Sequence, residues 1–146
     1  MTQEDKELLL KDLCTRLPYK VVVETQLANA PRAKYPVLKV LQSYMLCDFM
    51  QTIDNVIYKP YLRPISSMTE EERKEIRILI RENRPNPYRI INNDGVDNLL
   101  FSVSVTSRLL IDWLNAHHFD YRGLIEKGLA IEAPDGMYEK NDEIIY

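Results

Sequence analysis

Three consecutive valines, Val21 to Val23, follow a proline that stops a helix, and this junction constrains the fold more than any other feature of the chain. Before Pro18, Leu9, Leu10, Leu13, Cys14 and Leu17 recur at helical spacing and predict one apolar stripe. Thr2 and Asp5 have the spacing of a capping box, with Asp in place of Glu. Pro18 has no N–H with which to continue the helix. Valine is stiff at χ1 and fits a pleated strand. A continuous apolar run, rather than an alternating one, predicts burial on both faces. A helix feeding straight into a doubly buried strand calls for layers, with helices covering a sheet.

The rest of the chain extends this α+β pattern. Gln26 to Pro36 is a polar connector with two prolines. From Val37 to Met50 the period is ambiguous. Leu38, Val40, Tyr44 and Leu46 alternate as a strand would, while Val37, Leu41, Tyr44 and Met45 suit a helix. The Val, Leu and Tyr content favours strand. Ile53 to Tyr58 predicts a third strand, with Asp54-Asn55 as a turn or bulge. Lys59-Pro60-Tyr61-Leu62-Arg63-Pro64 is expected to be an extended connector, neither helix nor central strand, because of its paired prolines. Thr69-Glu70-Glu71-Glu72 is a T-x-x-E capping box with three carboxylates at the positive end of a helix dipole. That helix should run to about Asn83, with Ile76, Leu79 and Ile80 buried and Arg73, Arg77 and Arg81 on another face. Arg84 to Asp97 reads as loop, and Leu99 to Val105 as either a strand or a helix entry. Leu109, Leu110, Trp113 and Leu114 predict a further helix with Trp113 largely buried. Asp120 and Gly128 have the chemistry to start and stop a short fourth one. The expectation is one domain over 1–146: an N-terminal helix, a small mostly antiparallel sheet and two or three C-terminal helices. The tail 135–146 is acidic and expected to be loosely held.

Composition narrows the function classes. Among 146 residues the formal net charge is −3, and 45% are apolar, as in an ordinary globular protein. The longest uncharged run, Asn98 to Ser107, falls well short of the roughly 18 apolar residues that a membrane span needs. The acidic start MTQEDKELLLKD is the reverse of a signal peptide, so a cytoplasmic location is expected. Cys14 and Cys47 have apolar neighbours and no partner spacing, which predicts two free, buried thiols.

Three blocks, MTQEDKELLLKDLCTRLPY, KPYLRPISSMTEEE and IDWLNAHHFDYRGLIEKGLAIEAPDGMY, cover about two fifths of the chain. They resemble a family of small proteins from gut bacteria of the Bacteroides kind and their phages and mobile elements. No activity, ligand or catalytic residue comes with that family. The resemblance implies an intracellular protein in a mobile-element setting and names no chemistry.

The residues themselves name little more. The chain has no GxSxG, HExxH, GxxxxGK[ST] or GxGxxG pattern, and its four glycines are scattered. His117-His118 is the one histidine feature. Adjacent residues on a helix point about 100° apart, a poor arrangement for sharing one metal. A metal-dependent enzyme around His117, His118 and Asp120 is therefore the third reading, and no cofactor, metal or catalytic residue is assigned. Charge is more informative. Lys59 to Arg89 holds eight basic and five acidic residues, whereas Ile111 to Tyr146 holds three basic and eight acidic ones. A bipolar chain of this kind suits binding of an anionic partner at one end. The candidate binding residues are Lys59, Tyr61 and Arg63 on the extended segment and Arg73, Arg77 and Arg81 on the helix. The primary expectation is macromolecular binding, with a protein partner. The alternative is a nucleic-acid-associated protein using the arginine face, against which the net charge counts.

Overall fold

The computed structural model describes residues 1–27, 30–51, 56–82 and 107–138. The chain divides into two compact units, Met1–Ile65 with Asn115–Tyr146, and Ser66–Leu114.

The first unit is a helix-covered sheet. Helix α1 (Gln3–Arg16) opens on the predicted capping box: the Asp5 N–H donates to Thr2 Oγ1, and the Thr2 N–H to Asp5 Oδ2. Strand β1 (Val22–Leu27) pairs antiparallel with β2 (Leu38–Val40) on one side and with β3 (Val56–Leu62) on the other. Between β2 and β3 lies α2 (Ser43–Met50). A short β4 (Ile131–Glu132) adds to β3 in parallel, giving the order β2-β1-β3-β4. The fold is α+β, and the sheet is mixed.

Register decides the two faces of the sheet. Val21, Val23, Leu41, Tyr58 and Leu62 join Leu9 and Leu13 of α1 and Met45 and Phe49 of α2 in one buried cluster. Truncating one of these leucines to alanine typically costs about 2–5 kcal/mol. The valine run is buried throughout, as its composition predicts.

Several expectations need correction. The segment 37–50 is a three-residue strand followed by a helix, because Met45 and Phe49 bury one face at i,i+4 spacing. Lys59 to Leu62 lies in β3, between β1 and β4, and is not a connector. The position of Pro60 explains why proline is tolerated there. Arg63 turns its N–H and C=O toward 118–120, and Leu62 turns its C=O to Ala133 on the opposite side. Alternation puts the missing donor of Pro60 on the Leu62 side, one residue before pairing with β4 begins at Tyr61. Cys14 and Cys47 are free but exposed. Cys14 sits roughly 140° round the helix from Leu9, and the buried line of α1 is Leu9, Asp12, Leu13 and Arg16. Asp120 and Gly128 bound one turn rather than a helix. Asp120 accepts from the N–H groups of Leu124 and Ile125. The bonds Leu129 N–H to Leu124 O and Gly128 N–H to Ile125 O close a Schellman motif, with Gly128 at φ 71°.

In the second unit, α3 (Glu70–Glu82) begins at Thr69, whose Oγ1 accepts from Glu72 N–H at 3.2 Å while Glu72 Oε1 accepts from Thr69 N–H at 3.0 Å. No residue of α3 is fully buried; Ile76 and Leu79 are half-buried, and Ile80 is exposed. Residues 107–116 form α4. Trp113 is half-buried rather than largely buried, and its Nε1–H donates to Glu75 Oε2 at 3.2 Å. The turn or bulge expected at Asp54-Asn55, the loop expected over 84–97, the ambiguous stretch 99–105 and the part of the 135–146 tail beyond Tyr138 lie outside the described residues.

Candidate functional site

Strand alternation gives the first unit a polar sheet face. Glu24 pairs in register with Lys59, and side chains two apart on a strand share a face. Glu24 and Gln26 of β1 therefore lie on the same face as Lys59 and Tyr61 of β3. Glu24 is fully buried there, and four donors meet its carboxylate. Arg32 reaches it through Nη2 at 2.8 Å and Nε at 3.0 Å, Tyr61 Oη donates at 2.9 Å, and Gln26 Nε2 donates as well. Burial alone would push the Glu24 carboxyl up. The hydrogen bonds from Arg32, Gln26 and Tyr61, with the charge of Arg32, outweigh it and hold the group below the usual carboxylate range. Tyr61 moves the other way: burial and the neighbouring Glu24 raise its phenol above the ordinary value.

A second polar cluster joins α1 to the 117–122 segment. Asp12 and Arg16, both fully buried, form an i,i+4 ion pair at 2.7 Å. Arg122 Nε donates to the other Asp12 oxygen at 3.1 Å, and Arg16 Nη2 donates to the Phe119 carbonyl at 2.8 Å. Arg63 is half-buried, with its guanidinium 4.2 Å from the Phe119 ring centroid and Nη1 near the His117 carbonyl. His118 is buried in a left-handed conformation, φ 62°, and stacks on Tyr138 at 3.7 Å. Burial, then the charges of Arg16, His117 and Arg63, push its imidazole down to about 3, so it is neutral at physiological pH.

Tyr138 fastens this corner to the sheet. The β1–β3 register puts Val22 opposite Tyr61, one pair beyond the last ladder pair, Val23 with Pro60. The Tyr138 hydroxyl fills that step, accepting from Val22 N–H at 2.9 Å and donating to the Tyr61 carbonyl at 2.8 Å.

The third feature is the exposed face of α3. At about 100° per residue, Lys74, Arg77 and Arg81 fall within roughly 60° of one another, opposite Glu72, Ile76 and Leu79, with Arg73 at their flank. All four basic residues are exposed. Arg77 makes a long contact of 3.8 Å with Glu70, both side chains being largely in solvent. A contact of that kind holds neither group firmly.

The predicted binding residues thus fall in two places. Arg73, Arg77 and Arg81 line one solvent-facing helix surface in the second unit. Lys59, Tyr61 and Arg63 lie on β3 and just past its end, where Tyr61 and Arg63 are engaged by neighbours. His117 and His118 do not assemble a ligand set with Asp120, whose two oxygens are taken by backbone N–H groups. Among the described residues, no group of three His, Cys, Asp or Glu side chains is placed to hold a metal ion. Glu24 and Arg32 were not legible as a pair. The one signal is Glu24 and Gln26 two apart in a strand, on the face opposite Val23 and Thr25, which marks polar positions on that face but no partner. Nor is any helix of the described residues long and apolar enough to cross a membrane. No protein-family model, curated protein or solved structure matches the chain.

Proposed function

We propose that this protein acts inside the cell, in a phage or mobile-element setting, by binding another macromolecule through the basic face of α3. The observation that carries the reading is the alignment of Lys74, Arg77 and Arg81, flanked by Arg73, on a helix surface facing solvent. Guanidinium groups recognise carboxylate and phosphate bidentately, and those of Arg77 and Arg81 are spaced about 6 Å apart along the axis. An acidic protein surface is the favoured partner, because the chain as a whole is acidic and a nucleic-acid binder usually carries a net basic footprint. The setting rests on the sequence resemblance.

The test is affinity capture from the native host at low and at high salt, with and without nuclease, identifying protein and nucleic acid in each eluate. A protein retained after nuclease and released by salt is the expected result. Loss of all capture on nuclease treatment moves the reading to nucleic acid. Capture indifferent to salt contradicts a charged interface.

A further inference from the structure

Glu24 is a buried acid whose cover comes from outside the core. It sits on β1 between two neighbouring strands, and its carboxylate is fully buried, whereas the side chain of its partner Arg32 is 55% exposed. Arg32 belongs to the connector 30–37, where every residue except Pro36 is exposed. Outside the strands that connector makes one backbone hydrogen bond among the described residues, from Ala30 N–H to Leu27 O. A buried carboxylate is costly without charged or hydrogen-bonding partners, but nothing in the sheet requires the cation that Glu24 pairs with to come from the connector. The fit is specific to guanidinium. Arg32 meets Glu24 side-on through Nε and Nη2, a fork that an ammonium group lacks. Tyr61 and Gln26 donate from the sheet itself, and Arg32 Nη2 also reaches Tyr61 Oη at 3.4 Å.

We infer that Glu24, Gln26 and Tyr61 form a receptor for an arginine side chain of a protein partner, which Arg32 occupies in cis until the partner's arginine replaces it. The carboxylate is paired before and after the exchange, so the buried charge is never left alone in either end state. Only an exposed connector has to move. This receptor lies in the first unit and stands or falls separately from the basic face of α3.

The test is an NMR titration of wild type and Arg32→Ala with the peptide acetyl-Gly-Arg-Gly-amide at constant ionic strength. Acetyl-Gly-Lys-Gly-amide and methylguanidinium are the comparison ligands. Arg32→Ala should bind the arginine peptide at least tenfold more tightly than wild type does, and at least tenfold more tightly than it binds the lysine peptide. Adding Glu24→Gln should abolish that binding. Equal responses from wild type and Arg32→Ala, or from the arginine and lysine peptides, overturn the proposal. Methylguanidinium binding as tightly as the peptide overturns the assignment to a protein partner. Should Arg32→Ala fail to fold, solvent exchange of the Arg32 Nε–H in wild type decides. Acceleration by the arginine peptide supports displacement, and an unchanged rate overturns it.

Discussion

At His118 a left-handed backbone, a buried ring and an Nδ1 without a hydrogen-bond partner among the described residues coincide. The imidazole titrates near 3 in the folded chain against 6.5 unperturbed. The unfolded state therefore binds the proton first, and the stability tied to this residue is complete above 6.5 and lost as pH falls toward 3. Carboxylates join in only at the lower end of that window, so pH 5 to 6.5 reports on histidine, and the difference between wild type and a His118 variant separates His118 from His117. His118→Asn keeps a residue type that tolerates φ near 60° and removes the titration. Urea midpoints of the variant should be flatter with pH across that interval than those of wild type. Tyr138 offers a second check. Tyr138→Phe removes the hydroxyl between β1 and β3 and strands the Val22 N–H, at a cost of roughly 1–3 kcal/mol. The readout is the urea midpoint together with faster exchange of the Val22 amide. Neither residue's role was legible in the sequence. Both depend on contacts with residues far off in the chain, Tyr138 with Val22 and Tyr61 and His118 with Arg16. Asp12 and Arg16 did show i,i+4 spacing, but such a pair ordinarily lies on a surface, and only the folded chain reveals that it is buried.

Elements whose signals are local were read correctly. Both capping boxes form, because cap and acceptor lie three residues apart and need no tertiary help. Thr69→Ala should cost roughly 0.5–2 kcal/mol, measured as a lowered denaturation midpoint; identical midpoints would mean the Thr69 cap carries no weight. A strand at the valine run was legible for the same local reason, although it runs from Val22 to Leu27 and Tyr19 belongs to a 3-10 turn before it. Elements that rest on tertiary pairing were misread. Pro60 argued against a central strand, yet β3 has neighbours on both sides, and its proline falls where the ladder needs no donor. The ambiguous 37–50 segment resolves as a strand and a helix because each part finds a different surface to pack on: β2 on the edge of β1, and Met45 and Phe49 on the core. Apolar neighbours in sequence argue for buried Cys14 and Cys47, but angular position around the helix decides exposure, and both are exposed.

At the scale of the whole molecule, the excess of basic residues in 59–89 is the most informative charge feature of the sequence, and α3 carries part of it on its exposed face. Four basic side chains face solvent on α3, while the fully buried acids of the first unit are taken up in internal pairs, Asp12 with Arg16 and Arg122, and Glu24 with Arg32. Charges spent inside a unit hold its parts together; charges left on a helix face are available to a partner. The proposed function rests on that distinction. It is tested most directly by replacing Arg73, Arg77 and Arg81 together with Gln, which keeps helix propensity close to that of arginine and alters no buried position. Capture of host partners by the triple variant is then compared with capture by wild type at matched salt, with circular dichroism confirming an unchanged helix content. The account predicts that the variant folds as wild type does and loses the salt-sensitive partner. A folded variant that captures the same partner to the same extent contradicts it.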